Sequence, residues 1–122
     1  MAIVRIELTD YHSSEIGPMI GRQVITTMQQ VLSVPPAENY IICQNHSISN
    51  VLYCPEVCTQ ERLQEIVFIQ VCLNQGRSPD LKKQFMEDLI HNITDTTNLH
   101  SENIFINLVE VARENWMFGI SV

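Results

Sequence analysis

At 122 residues, 45% of them hydrophobic, the chain has the length and apolar content of one globular domain. Fourteen acidic against seven basic residues give a net charge of -7, which argues against a nucleic-acid binder, because such proteins use surplus Lys and Arg to displace phosphate counterions. No apolar run approaches the roughly 20 residues that span a bilayer, and the opening MAIVRIELTD is not a secretory signal, so a soluble cytoplasmic protein is expected.

Ile3-Val4-Arg5-Ile6-Glu7-Leu8 predicts a strand almost at the amino terminus. Ordering a terminus costs backbone entropy, so a buried first strand calls for a reason. A helix follows, with Ser14 as its expected cap and Ile16, Ile20, Val24, Met28 and Leu32 along one face. Pro18 then falls in the first turn, where the backbone N–H groups have no helical partner, and Pro35-Pro36 ends the helical region. Glu38-Asn39-Tyr40-Ile41-Ile42 leads into a second strand. From His46 to Gln64 the sequence reads as a loop containing Pro55 and a short strand at Val51-Leu52-Tyr53. Cys54 and Cys58 form the one close cysteine pair, with His46 nearby, but no second Cys/His pair follows at a zinc-finger distance. Cys43 and Cys72 sit in apolar runs, so four reduced thiols and no metal are expected. The four histidines, His12, His46, His91 and His100, lack matching partners and are assigned no chemistry.

The second half repeats the first. Ile66-Val67-Phe68-Ile69 resembles the opening strand, and Glu102-Asn103-Ile104-Phe105-Ile106 resembles the segment from Glu38. Between them Ser78-Pro79-Asp80 supplies a cap, a proline at the first helical position and an acid in the first turn. Leu81, Phe85, Leu89 and Ile93 form its apolar stripe, and Thr94-Asp95-Thr96-Thr97-Asn98 ends it. Two βαβ halves, about 1–45 and 65–111, thus predict a single α/β (α+β) domain over 1–122 with a C-terminal hairpin or tail. Right-handed crossovers put both helices on one face of a four-stranded mixed sheet. Ile3, Ile66 and Phe68 are expected on the other face, which needs cover from another subunit. In the tail, Trp116 and Phe118 lie two apart and face one side of an extended segment.

The duplicated halves, Leu73-Asn74-Gln75-Gly76-Arg77-Ser78 before the second helix, and Asn107-Leu108-Val109-Glu110-Val111 followed by Asn115-Trp116-Met117-Phe118-Gly119 together resemble the tautomerase superfamily. The similarity runs over essentially the whole chain and is greatest to the longer tautomerases related to malonate semialdehyde decarboxylase. It implies a homotrimer whose sheets cover one another, and keto–enol chemistry on a small 2-oxo carboxylic acid without a cofactor. It also accounts for the ordered terminus: in that family the initiator Met is removed and a proline amine acts as the acid or base. By this resemblance Arg77 binds the substrate carboxylate, Glu38 matches an acid that activates water, and Trp116 and Phe118 match an aromatic wall. Gln75 stands where the decarboxylases carry a second arginine, and Ala2 stands in place of the proline. The plainer readings are a solvated Arg77, an exposed Glu38 and interface packing for the two aromatics. Two functions follow: an impaired tautomerase that uses a primary amine at Ala2, or a catalytically silent homotrimer that binds a small anion.

Overall fold

The computed structural model describes residues 1–119, and Ile120, Ser121 and Val122 lie outside the described residues. Its elements are β1 (Ala2–Thr9), α1 (Ile16–Leu32), β2 (Asn39–His46), a short α2 (Gln60–Glu65), β3 (Val67–Asn74), α3 (Pro79–Thr96) and β4 (Ile104–Val111). The sheet order is β2-β1-β3-β4. Each half contributes a parallel pair, β1 with β2 and β3 with β4, and the halves join antiparallel through β1 and β3. Arg5 lies opposite Gln70 at the centre of that junction, so an approximate twofold axis relates the two halves.

Strand alternation sorts the residues. Ala2, Val4, Ile6 and Leu8 of β1 and Val67, Ile69, Val71 and Leu73 of β3 are buried in one core. Ile20, Val24, Met28 and Leu32 of α1 and Phe85, Leu89 and Ile93 of α3 complete it. The helices also meet through a polar contact, where Asn92 Nδ2 donates to Thr27 Oγ1 at 2.8 Å. The expected apolar stripe of α3 is therefore one member short, because Leu81 is exposed. The other sheet face is uncovered: Tyr40, Ile42, Phe68 and Phe105 are exposed, the two phenylalanines packing edge to face at 5.5 Å.

Several local expectations need correction. Ser14 does not cap α1. The helix starts at Ile16 with Glu15 in the cap position and no side-chain cap, since the Ile16 N–H is taken by the Ser13 carbonyl at 3.3 Å. Pro18 does fall in the first turn. Ser78 behaves as expected, its Oγ accepting from Leu81 N at 3.2 Å. Val51-Leu52-Tyr53 is not a strand and pairs with neither edge of the sheet, β2 or β4. The connection instead makes a turn at Ile48–Asn50 and then α2, which Thr59 caps by accepting from Arg62 N at 3.1 Å. Ile66 is buried rather than on the open face, because it ends α2 instead of entering β3. Strand β3 accordingly starts at Val67, and β2 runs on to His46. After β4 the described residues form a turn at Arg113–Asn115 and no further strand, which is the tail of the two expected alternatives.

The turn between β1 and α1 is fastened to α2. Thr9 Oγ1 donates to the Gln64 carbonyl at 2.7 Å and His12 Nε2 donates to the Glu65 carbonyl at 3.1 Å, which satisfies two orphan carbonyls at the helix end. Burial lowers the His12 pKa below its ordinary 6.5, outweighing the hydrogen bond to Glu65. The unfolded chain therefore binds a proton here before the folded one does. Stability from this group is full above pH 6.5 and is lost as pH falls through the lower folded value. Urea midpoints taken between about pH 7.5 and pH 5.5 should fall for the wild type and fall less for His12→Gln. Equal slopes would assign the acid sensitivity to other groups.

Candidate active site

The amino end of β1 lies between the start of β2 and the end of β3: Ala2 is opposite Asn39 on one side and Leu73 on the other. Ala2 is fully buried, which is what holds the terminus in the sheet. In the chain as it starts at Met1, the amine lies 3.3 Å from Glu38 Oε2. Glu38 is placed by the Pro36–Glu38 turn, whose first position suits proline and whose Glu38 N–H closes on the Pro35 carbonyl at 2.9 Å.

Arg77 approaches the same end from the loop between β3 and α3. Gly76 turns that loop at φ +122°, a conformation that side chains rarely adopt. Gln75 N donates to the Val111 carbonyl at 3.1 Å and so ties the loop to the end of β4. Arg77 Nη1 donates to the Asn74 carbonyl at 3.0 Å, and Nη2 reaches the Leu32 carbonyl at 3.4 Å. The second contact sets a cation on the carboxyl end of α1, where the helix dipole favours it. A guanidinium carries five N–H donors, so these two contacts leave donors for an anion. Beside it Lys82 Nζ meets Glu110 Oε1 at 2.6 Å, and this hydrogen bond holds the Glu110 carboxyl below its ordinary range.

The structure thus brings Ala2, Glu38, Gln75 and Arg77 to one end of the sheet. Gln75 contributes its backbone N–H, while its side chain is exposed. Trp116 and Phe118 follow β4 out of this same end, and their rings stack at 5.9 Å and 22°, as their spacing predicts. Sequence reasoning missed Asn39 and Asn74. Their side-chain carbonyl oxygens, with Trp116 Nε1, are buried without a hydrogen-bond partner among the described residues. Buried polar atoms are nearly always paired, so three orphans on the segments that form one sheet end mark a place for water or ligand. The available signal was a polar residue at the first position of β2 and the last of β3.

Two duplicated βαβ halves thus bring a terminal amine, a carboxylate and a guanidinium to one sheet end. A family model described as tautomerase enzyme matches residues 38–119, and the chain belongs to that family. It is similar to the probable tautomerase YusQ of Bacillus subtilis (strain 168), at 25% identity over 98% of this chain and 94% of that one. Among solved structures it is similar to malonate semialdehyde decarboxylase inhibited by 3-bromopropiolate, with TM-score 0.81 and 24% identity, covering 98% of this chain and 91% of that one. A fused 4-OT asymmetric trimer matches at TM-score 0.79 and 13% identity, covering 96% and 92%. At these identities the structural matches speak for the fold alone.

Proposed function

We propose that this protein moves a proton between carbon and oxygen of a small 2-oxo carboxylic acid, and that it does so slowly. The observation that carries this reading is the amino terminus brought to the sheet end where Arg77 introduces α3, with the Met1 amine beside Glu38. Arg77 anchors the carboxylate, backed by the backbone N–H groups that open α3. The amine, offered by Ala2 once Met1 is removed, takes and returns the proton, and Glu38 is its proton partner. Trp116 and Phe118 wall the site against water. An uncharged Gln75 makes decarboxylation of the related type the weaker reading. The similar decarboxylase is inhibited by 3-bromopropiolate, a small carboxylate, which supports an anion of that size here.

The assembly belongs to the same proposal. The whole chain acts as one domain, and its uncovered face with Tyr40, Ile42, Phe68 and Phe105 packs against two further copies in a homotrimer in the cytoplasm. Structures of similar fold include both asymmetric and symmetric trimers.

A second reading, a silent trimer that binds a small anion, is favoured by two observations. Ala2 is not proline, and two Arg77 nitrogens already serve backbone carbonyls. The test is a tautomerase assay with an aryl 2-oxo acid on protein whose amino terminus is fixed by intact mass. Slow turnover supports the first reading, and none above background supports the second. In either, Arg77→Ala should weaken carboxylate binding about tenfold or more, since a charge-assisted contact is worth about 1.5–3 kcal/mol. Sedimentation should show the variant still trimeric. Unchanged binding would make Arg77 only the tether between Asn74 and Leu32.

A further inference from the structure

The duplication that forms the Arg77 end of the sheet also forms a counterpart at the opposite end. There the turn after β1, with Tyr11 and His12, takes the place of the loop after β3 that carries Arg77. The Ser101–Asn103 turn before β4 takes the place of the Pro36–Glu38 turn before β2. The segment entering β3 through Glu65 takes the place of Met1. These pieces enclose a cavity of about 260 Å³ lined by Tyr11, His12, Glu65, Leu99, His100 and Asn103, a size suited to a ligand of a few heavy atoms.

Two buried side chains shape this cavity. His12, 9% exposed, is fixed by its hydrogen bond to the Glu65 carbonyl. Asn103, 4% exposed, donates Nδ2 to Glu65 Oε2 at 3.3 Å. The Glu65 carboxylate is therefore held in place through one oxygen, while the other has no partner among the described residues. The lining includes no lysine or arginine. Burial keeps His12 uncharged at neutral pH, so it does not neutralise the carboxylate. The charge is thus inverted relative to the other end, where an amine and a guanidinium await an anion. Leu99 and the half-buried Ile16 add apolar surface, and Tyr11 offers an exposed ring edge-on to His12. A net charge of -7 raises the local concentration of small cations around the molecule.

We propose that this second cavity binds a small primary ammonium compound with a short hydrocarbon body, its ammonium on the Glu65 carboxylate and its carbon chain against Leu99. The proposal is independent of the activity assigned to the Arg77 end.

The test is an amide NMR titration of the full chain at pH 8 and constant ionic strength, with n-butylammonium chloride, sodium butyrate and butan-1-ol as probes. Butylammonium should give saturating shifts at Tyr11, His12, Leu99 and Asn103, and the other two probes should not. Glu65→Gln should weaken the response at least tenfold. Shifts that do not saturate, that butanol reproduces, or that survive Glu65→Gln would overturn the proposal. If Glu65→Gln does not fold, the three probes on wild-type protein decide the matter, because they share a hydrocarbon body and differ in charge.

Discussion

Phe85→Ala is expected to lower the unfolding free energy by about 3–5 kcal/mol, the usual cost of removing a fully buried phenylalanine and leaving a cavity. Phe85 is 0% exposed and is the largest of only three residues, with Leu89 and Ile93, by which α3 is buried. By contrast α1 buries seven residues, so its attachment is spread more widely. The chain cannot easily close the gap: Leu81 lies exposed one turn earlier, and Met86 and Ile90 are already packed against the core. Urea denaturation at fixed protein concentration gives the number, and a repeat at tenfold dilution separates subunit dissociation from unfolding. A loss below about 1 kcal/mol would mean that the helix repacks, against the rigidity expected of a dense interior. The variant also bears on the site. The amino end of α3 carries Ser78 next to Arg77, so a loosened helix should weaken carboxylate binding even where the fold survives.

Much of this architecture was legible because the features that set it are local in sequence. The strand alternation of Val4, Ile6 and Leu8, the stripe from Ile20 to Leu32 and the Ser78-Pro79 cap each depend on residues a few positions apart. The duplication carried the topology, since two similar βαβ halves joined in one sheet leave one face bare. What was not legible depends on distant partners. Ser14 is a competent cap, yet the turn that Thr9, His12 and Asn45 fix to α2 and β2 starts the helix elsewhere. Val51-Leu52-Tyr53 has strand composition, yet it joins neither sheet edge and leads through a turn into α2. Thr59 caps α2, but a helix of six residues carries too short a period to be read. At the site, Arg77 and Glu38 were recognisable by their place in a resemblance. Asn39 and Asn74 were not, because an orphaned oxygen exists only once the chain around it has folded.

Ala2→Pro, with Met1 shown absent by intact mass, is expected to raise tautomerisation at neutral pH by about 10²-fold or more over the parent, within the range general-base catalysis usually contributes. The reason lies in the amine. Rotation about the single Cα–N bond leaves the lone pair of a primary amine unfixed. A proline ring ties the nitrogen back to its own side chain, so at the first residue of β1 the nitrogen would be held in one orientation by the ring and by the strands on either side. Proline is tolerated at the first position of a strand, so the ladder should survive. The added ring must nevertheless fit where Ala2 is fully buried, and for that reason trimer mass and urea midpoint are measured alongside the rate. The gain should also need Arg77. In Arg77→Ala the same replacement should give much less, since a positioned base is of little use on a substrate that is not held. A parent that already turns over fast, with a pH profile unmoved by Ala2→Pro, would place the base on another residue and remove the terminal amine from the chemistry. A folded, trimeric Ala2→Pro protein with no gain would instead favour the silent trimer, with Arg77 binding an anion that the chain does not transform.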